Sequence, residues 1–199
     1  MSVEETVVAA SAQGASDADL QAFIQLAAAQ PDAVRAVLDA RPETVSGLFG
    51  FNVILRRGDA LSRTLAAALA ATGAEEVQTY VADKLDWLFG VRGLMQDFLA
   101  AAERAGWSDR LRPAVAALVH AKFQDLVASK RDERSGPSVE GAARALADLI
   151  AQMPSVLRDQ AIWAVRGAPN RTYQDGGPQS HIDVRWMSEL VLKQVEKPS

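Results

Sequence analysis

The chain has 199 residues, of which 49% are hydrophobic and 23% are charged, and its formal net charge is −4 at pH 7. This composition excludes an intrinsically disordered chain, because enough apolar surface is present to offset the entropy of ordering, and the length fits one domain. A net negative charge without a basic stripe argues against nucleic acid as a partner, and the absence of cysteine excludes disulfides, thiol catalysis and thiolate zinc sites.

The first 15 residues predict a flexible N-terminus. Glu4 and Glu5 lie where a secretory signal would carry Lys or Arg, and the apolar stretch 7–10 is too short for the hydrophobic region of such a signal. No run of the sequence approaches the roughly 18 apolar residues that a membrane span needs. We therefore expect a cytoplasmic protein in which residues 16–199 form a single domain.

Helix start signals recur through the first half of the chain. Ser16 and Asp19 are spaced as a capping box, in which the serine oxygen accepts a backbone N–H and the acid reaches back. Prolines restart the chain twice, because proline favours the first helical turn and disrupts a helix interior. The predicted start positions are Ser16, Pro31, Pro42, Asp59 and Thr72, the last with Glu75 as a second capping box.

The second half of the chain continues this pattern. A charged run, 130–135, is followed by Gly136 and Pro137, which is the strongest linker signal in the sequence. We therefore expect a sub-boundary near 131–138. Further helices are predicted to begin at Ser138, after Pro154 and at Ser180, where Asp183 completes a third capping box.

These signals predict an all-α fold. Apolar residues recur at helical spacing, and no segment alternates β-branched and polar residues as a strand would. We expect about eight to nine helices, packed as an irregular orthogonal helical bundle or as a short stack of helical pairs. Segments 48–51 and 88–91 resemble each other at an interval typical of helical-pair repeats, but no third copy continues the period, which favours chance recurrence.

The uncharged segment 46–55 has three interpretations. The first is a membrane-surface segment with Arg56 and Arg57 at its polar edge. The second is an oligomer or partner surface where Gly47 and Gly50 permit close helix approach. The favoured interpretation is a central helix that is apolar on every side because it is buried on every side.

Motifs for catalysis are missing from the sequence. There is no phosphate loop, dinucleotide fingerprint, nucleophile elbow or zinc-protease helix. His120 has no metal-ligating residue at helical offsets, which indicates a structural histidine. His181 lies next to Ser180 and near Asp183, but these two are better used as a helix cap than as parts of a triad. We expect no catalytic residue, no metal ligand and no cofactor.

The loop 167–180 is the predicted binding site. It is longer than most helix connections and rich in hydrogen-bonding groups. Arg171 is suited to hold a carboxylate or phosphate, together with the first N–H groups of the following helix. The alternative interpretation is a solvated loop whose Tyr173 packs on the core. The predicted binding residues are Arg171, Tyr173, Gln174, Asp175 and His181.

The sequence therefore favours a protein-interaction module, meaning an adaptor, accessory subunit or regulator that acts by binding rather than by catalysis. The expected partner is another protein or a second copy of the chain, with a membrane surface disfavoured. The alternative is a helical domain or enzyme that binds a small molecule in a pocket gated by the loop 167–180. A filled core with an exposed apolar patch supports the first function, whereas an empty apolar cavity lined by buried polar groups supports the second.

Overall fold

The computed structural model describes residues 1–56, 59–85, 94–129, 138–170 and 181–196. It confirms the all-α class, since these residues form eleven α-helices and contain no strand. The α-helices are α1 Val3–Ser11, α2 Asp17–Ala29, α3 Pro31–Ala40, α4 Pro42–Gly47, α5 Ala60–Thr72, α6 Glu75–Asp83, α7 Leu94–Arg104, α8 Ser108–Ser129, α9 Val139–Ala151, α10 Ser155–Gly167 and α11 His181–Val195. A π-helical segment, Leu48–Ile54, follows α4, and a short 3-10 helix, Ala168–Asn170, follows α10.

The number of helices exceeds the predicted eight to nine because several are short. α1 has 9 residues, α4 has 6 and α6 has 9. Helices of this length span only about two turns, so their apolar stripes are too brief to be separated reliably by periodicity.

The chain divides into two compact units, Met1–Leu111 and Arg112–Ser199. The division falls within α8, whereas the sequence predicts one domain with a sub-boundary near 131–138. A helix that runs through a division has no linker composition, so the sequence carries no signal there. Residues 131–137 themselves lie outside the described part of the chain.

The predicted flexible N-terminus instead contains α1. Ser2 caps this helix: its Oγ accepts the Glu5 N–H at 3.1 Å, and the Ser2 N–H donates to Glu5 Oε2 at 2.7 Å. Val7 and Ala10 are fully buried, and α1 packs against α2 and α3. This helix was not predicted, although Ser2 and Glu5 have the spacing of a capping box.

The segment that follows α4 is packed tightly against the end of α1. A Cβ at Gly47 would lie 2.3 Å from the carbonyl oxygen of Ser11, so only glycine permits this approach. Asn52 is buried, and its Nδ2 donates to the carbonyl oxygen of Ala10 at 2.8 Å. This bond satisfies a carbonyl at the C-terminus of α1, where helices leave their last carbonyls without partners. The close approach that glycine permits here is thus made within the chain.

A row of four aromatic rings runs through the core of the first unit. The centroid distances are 5.4 Å from Tyr80 to Phe49, 5.8 Å from Phe49 to Phe98 and 5.7 Å from Phe98 to Trp107. These distances lie in the favourable range for aromatic pairs. Burial raises the pKa of Tyr80. The row joins the π-helical segment, α6, α7 and the residue that precedes α8.

The second unit contains α9, α10 and α11, which pack against one another. Ser138 caps α9 as predicted, with its Oγ accepting the Gly141 N–H at 3.1 Å. The buried Ser188 Oγ donates to the Val165 carbonyl oxygen at 2.8 Å, which joins α11 to α10. This hydrogen bond fixes the point where the two helices meet.

Candidate functional site

The predicted binding residues fall largely outside the described part of the chain. Arg171, Tyr173, Gln174 and Asp175 are not among the described residues. His181 is the first residue of α11, and its side chain also lies outside the described part. The assignment of these five residues to a binding site stays a prediction.

The described residues contain no group of three or more His, Cys, Asp or Glu that is arranged to hold a metal ion. Within the same ranges, every helix is too short or too polar to cross a membrane.

Two tryptophans of the second unit are exposed. Trp163 on α10 has a relative exposure of 64%, and Trp186 on α11 has 45%, whereas Trp107 in the first unit is 2% exposed. A buried aromatic side chain contributes strongly to folding stability, so an exposed tryptophan forgoes most of that contribution. Two such residues on neighbouring helices require an explanation other than packing within the unit.

Both tryptophans lie close to the point where α10 meets α11. Trp163 precedes Val165 by two residues, and Trp186 precedes Ser188 by two residues. Two helical residues correspond to about 3 Å of rise along the axis. The backbone positions of the two tryptophans therefore lie within one turn of the hydrogen bond that joins the helices, and both side chains are on the exposed side of their helix.

An exposed arginine accompanies each tryptophan. Arg166 lies one turn after Trp163, and Arg185 directly precedes Trp186. Neither arginine makes a hydrogen bond or an ion pair with any other described residue, so both guanidinium groups are available to a ligand. We call the exposed set Trp163, Arg166, Arg185 and Trp186 the tryptophan surface.

The sequence contains a signal for this surface that the sequence analysis missed. Trp163 is two positions from both Ala161 and Val165, which are buried. Two positions in an α-helix correspond to a rotation of about 200°, so Trp163 must lie opposite the buried stripe. Trp186 is likewise two positions from Val184 and from Ser188, which are both buried, so it also lies opposite the buried stripe of its helix. The predicted site rests instead on the hydrogen-bonding groups of the loop 167–180, which carry no information on how a tryptophan lies relative to the apolar stripe of its own helix.

A second pair of exposed apolar side chains lies in the first unit. Phe51 is 41% exposed and Leu55 is 63% exposed, so the segment 46–55 is mostly buried but is not buried on every side as the favoured interpretation expected. The neighbouring Arg56 donates to Asp17 Oδ1 at 2.5 Å, and this hydrogen bond raises the pKa of the guanidinium. The guanidinium group of Arg56 is thus already paired with a carboxylate of the chain, whereas Arg166 and Arg185 have no partner among the described residues.

The chain matches no protein-family model, no curated protein and no solved structure. Its function is therefore inferred from the physical chemistry of the described residues. Among these, the tryptophan surface combines large exposed apolar area with cations that have no described partner.

Proposed function

We propose that this protein is an interaction module, acting as an adaptor, accessory subunit or regulator, and that it binds a protein partner through the tryptophan surface. The observation that carries the proposal is the exposure of two tryptophans on helices that pack together, 64% for Trp163 and 45% for Trp186, each accompanied by an arginine without a described partner. Tryptophan and arginine are the residue types most enriched at the energetic centres of protein interfaces. Burial of both indoles by a partner recovers the hydrophobic free energy that the isolated unit forgoes.

The charges of this surface indicate the chemistry of the partner. A guanidinium group binds carboxylates through parallel hydrogen bonds, so Arg166 and Arg185 suit a partner with acidic side chains around an apolar recess. Two exposed acidic residues also lie one helical turn from the tryptophans: Asp159 precedes Trp163, and Glu189 follows Trp186. In each helix the acidic residue and the arginine lie on opposite sides of the tryptophan in sequence. The two carboxylates favour partners that place basic groups at the edge of the contact, which gives the interface a defined register.

A protein is a better partner than a membrane surface. A helix that lies on a membrane buries its apolar face in lipid. In α10 and α11 the apolar stripes are already buried in the second unit, at Leu157, Ala161, Val184 and Val191 among others. The exposed indoles are isolated large anchors between polar neighbours, as in a protein interface.

The alternative function, a small-molecule pocket gated by the loop 167–180, rests on residues outside the described part of the chain. It stays an expectation from the sequence.

Site-specific photocrosslinking in cells of the source organism tests the proposal. A benzophenone amino acid replaces Trp163 or Trp186 in the full chain, and Arg144, an exposed residue of α9, serves as the matched control position. We expect the same partner to be captured at positions 163 and 186, and not at 144. A captured second copy of this chain identifies the partner as the protein itself.

The binding energy is then measured with the captured partner. Trp163→Ala and Trp186→Ala are each expected to cost about 2 kcal/mol or more, which is roughly a 30-fold loss of affinity. Because both side chains are exposed, the melting temperature should change little. The proposal is overturned if no protein is captured at 163 and 186, if only lipid is captured, or if position 144 captures the same partner equally.

A further inference from the structure

A groove lies between α5 and α7, two helices of the first unit that pack against each other. Its volume is about 580 Å³. Small residues, Ala60 and Ala67 on α5 and Ala100 on α7, form part of the lining and leave this space open. A volume of this size falls in the range of sites that bind small molecules.

The remaining lining residues are polar and come from both helices. Arg63 and Thr64 lie on α5, and Asp97 and Arg104 lie on α7. On each helix the lining positions recur at offsets of three, four or seven residues, so they share one face. Two guanidinium groups are thereby presented to one groove.

The arginines of the groove differ from the other arginines described in Met1–Leu111. Each of those others pairs with a carboxylate, as Arg56 does with Asp17; the remaining pairs are Arg35 with Asp32, Arg41 with Glu4 and Arg110 with Glu75. Arg63 and Arg104 make no ion pair or hydrogen bond with a described residue, and neither does Asp97. Acidic residues outnumber basic ones in this unit, so carboxylates are not scarce. Among the described arginines of this unit, the two without partners are therefore the two that line the groove.

We infer that this groove binds a small organic anion whose carboxylate or phosphate group is held by Arg63 and Arg104. Guanidinium groups bind such oxyanions through charge-assisted, often paired hydrogen bonds. Asp97 then accepts a hydrogen bond from an amino or hydroxyl group elsewhere on the ligand. Thr64 Oγ1 donates to the Ala60 carbonyl oxygen at 2.9 Å, so it offers the ligand an acceptor. The inference does not depend on the proposed function, because the tryptophan surface lies in the other unit.

Titration of the full chain by two-dimensional NMR tests the inference. The probes are inorganic phosphate, citrate and O-phosphoserine, each added at ionic strength matched with sodium chloride. We expect saturable shifts in the amide signals of residues 60–67 and 97–104. The comparison of phosphate with citrate decides whether the oxyanion is a phosphate or a carboxylate.

Substitutions assign the contacts. Arg63→Gln and Arg104→Gln are each expected to weaken binding about tenfold or more, since a charge-assisted hydrogen bond is lost. Asp97→Asn is expected to weaken binding of O-phosphoserine, which carries an amino group, and not of inorganic phosphate. Arg144→Gln, which removes an exposed arginine of the other unit, is the matched control and should leave all affinities unchanged.

Two results overturn the inference. The first is that no probe produces saturable shifts in these residues. The second is that Arg144→Gln weakens binding as much as Arg63→Gln and Arg104→Gln do, which would mean that the probes respond to net charge only. A melting temperature close to that of the unmodified protein shows that each variant is folded.

Discussion

Gly47 determines how closely α1 approaches the segment after α4. A side chain at this position would meet the backbone of Ser11 at 2.3 Å, and a backbone atom cannot move without moving the helix end. Gly50, in the adjoining π-helical segment, is different: a Cβ there would meet only the hydroxyl of Tyr80, at 4.0 Å. Two glycines three residues apart therefore have different roles, one required by packing and one not.

This difference predicts opposite effects of the same substitution. Gly47→Ala is expected to lower the free energy of unfolding by about 1 to 3 kcal/mol, the usual cost of overpacking. Gly50→Ala is expected to be neutral or to stabilise by up to about 1 kcal/mol, because glycine in a helix interior is costly. Urea denaturation followed by far-ultraviolet circular dichroism measures both. Equal losses in the two variants would contradict the close contact with Ser11.

Residue-scale contacts show why part of this fold cannot be predicted from the sequence. The pattern of Gly47 and Gly50 indicates close approach but does not say to what. Asn52 interrupts an apolar run, and its partner, Ala10, lies 42 positions earlier in the chain. Local rules of capping and periodicity extend over a few residues, so they cannot identify a partner at that separation.

At the scale of single elements, local rules perform well where the chain offers a complete capping motif. The Ser16 and Asp19 box is confirmed: Asp19 N–H donates to Ser16 Oγ at 3.2 Å, and Ser16 N–H donates to Asp19 Oδ2 at 2.9 Å. Asp59 also caps α5 as predicted, accepting the Ser62 N–H at 2.6 Å. In both cases donor and acceptor lie within three residues, so no tertiary contact is needed.

The predicted box of Thr72 and Glu75 is wrong. Thr72 is the last residue of α5, and Ala74 occupies the N-cap position of α6. Gly73, with φ of 65°, ends α5 in the left-handed conformation that glycine adopts readily. The Thr72 Oγ1 accepts the Ala74 N–H at 3.3 Å instead of a helical N–H. Gly73 therefore ends α5 after Thr72, and Thr72 does not act as the N-cap of α6.

The confirmed capping box predicts a dependence of stability on pH. Hydrogen bonds from the Ser16 side chain and backbone hold the pKa of Asp19 below its ordinary value. A carboxyl group with a lowered pKa in the folded state stabilises the fold above its unfolded pKa, and this contribution is lost as the pH falls through the folded pKa. The free energy of unfolding should therefore decrease from about pH 6 to about pH 3.

Asp19→Asn should make that decrease smaller, because the variant has no carboxyl group to protonate while it keeps a capping acceptor. Urea denaturation at a series of pH values provides the measurement. Asp83→Asn, which removes an exposed carboxylate that makes no hydrogen bond to a described residue, is the control. If both variants flatten the pH dependence equally, the contribution does not arise from the capping box.

At the scale of the whole molecule, the helical class follows from many local signals that agree, whereas the division into units does not. Capping boxes and apolar stripes each report on one helix, and together they exclude a sheet. The division depends on which helices share a core, and that information lies in contacts between distant residues. Whether the helices form an orthogonal bundle or a stack of pairs stays a prediction.

The candidate site shows the same limit. The sequence singled out the loop 167–180 for its polar groups, and that loop lies mostly outside the described residues. The exposed positions of Trp163 and Trp186 follow from their own helices, so they were predictable. The groove was not, because Arg63 and Arg104 meet only when α5 and α7 pack together.

The two units are expected to differ in their response to a substitution that affects only one core. Each unit buries its own apolar residues, such as Phe49 in the first and Ile150 in the second. Gly47→Ala disturbs contacts within the first unit, and distant sites without shared partners usually respond independently. Hydrogen exchange should therefore become faster in α1 and α2 and remain unchanged in α9.

Fluorescence provides a second probe, because Trp163→Phe with Trp186→Phe leaves Trp87 and Trp107, both in the first unit, as the remaining tryptophans. In this background Gly47→Ala should shift the fluorescence midpoint to lower urea. If exchange in α9 accelerates to the same extent as in α1, the chain unfolds as one cooperative body and the independence of the two cores is refuted.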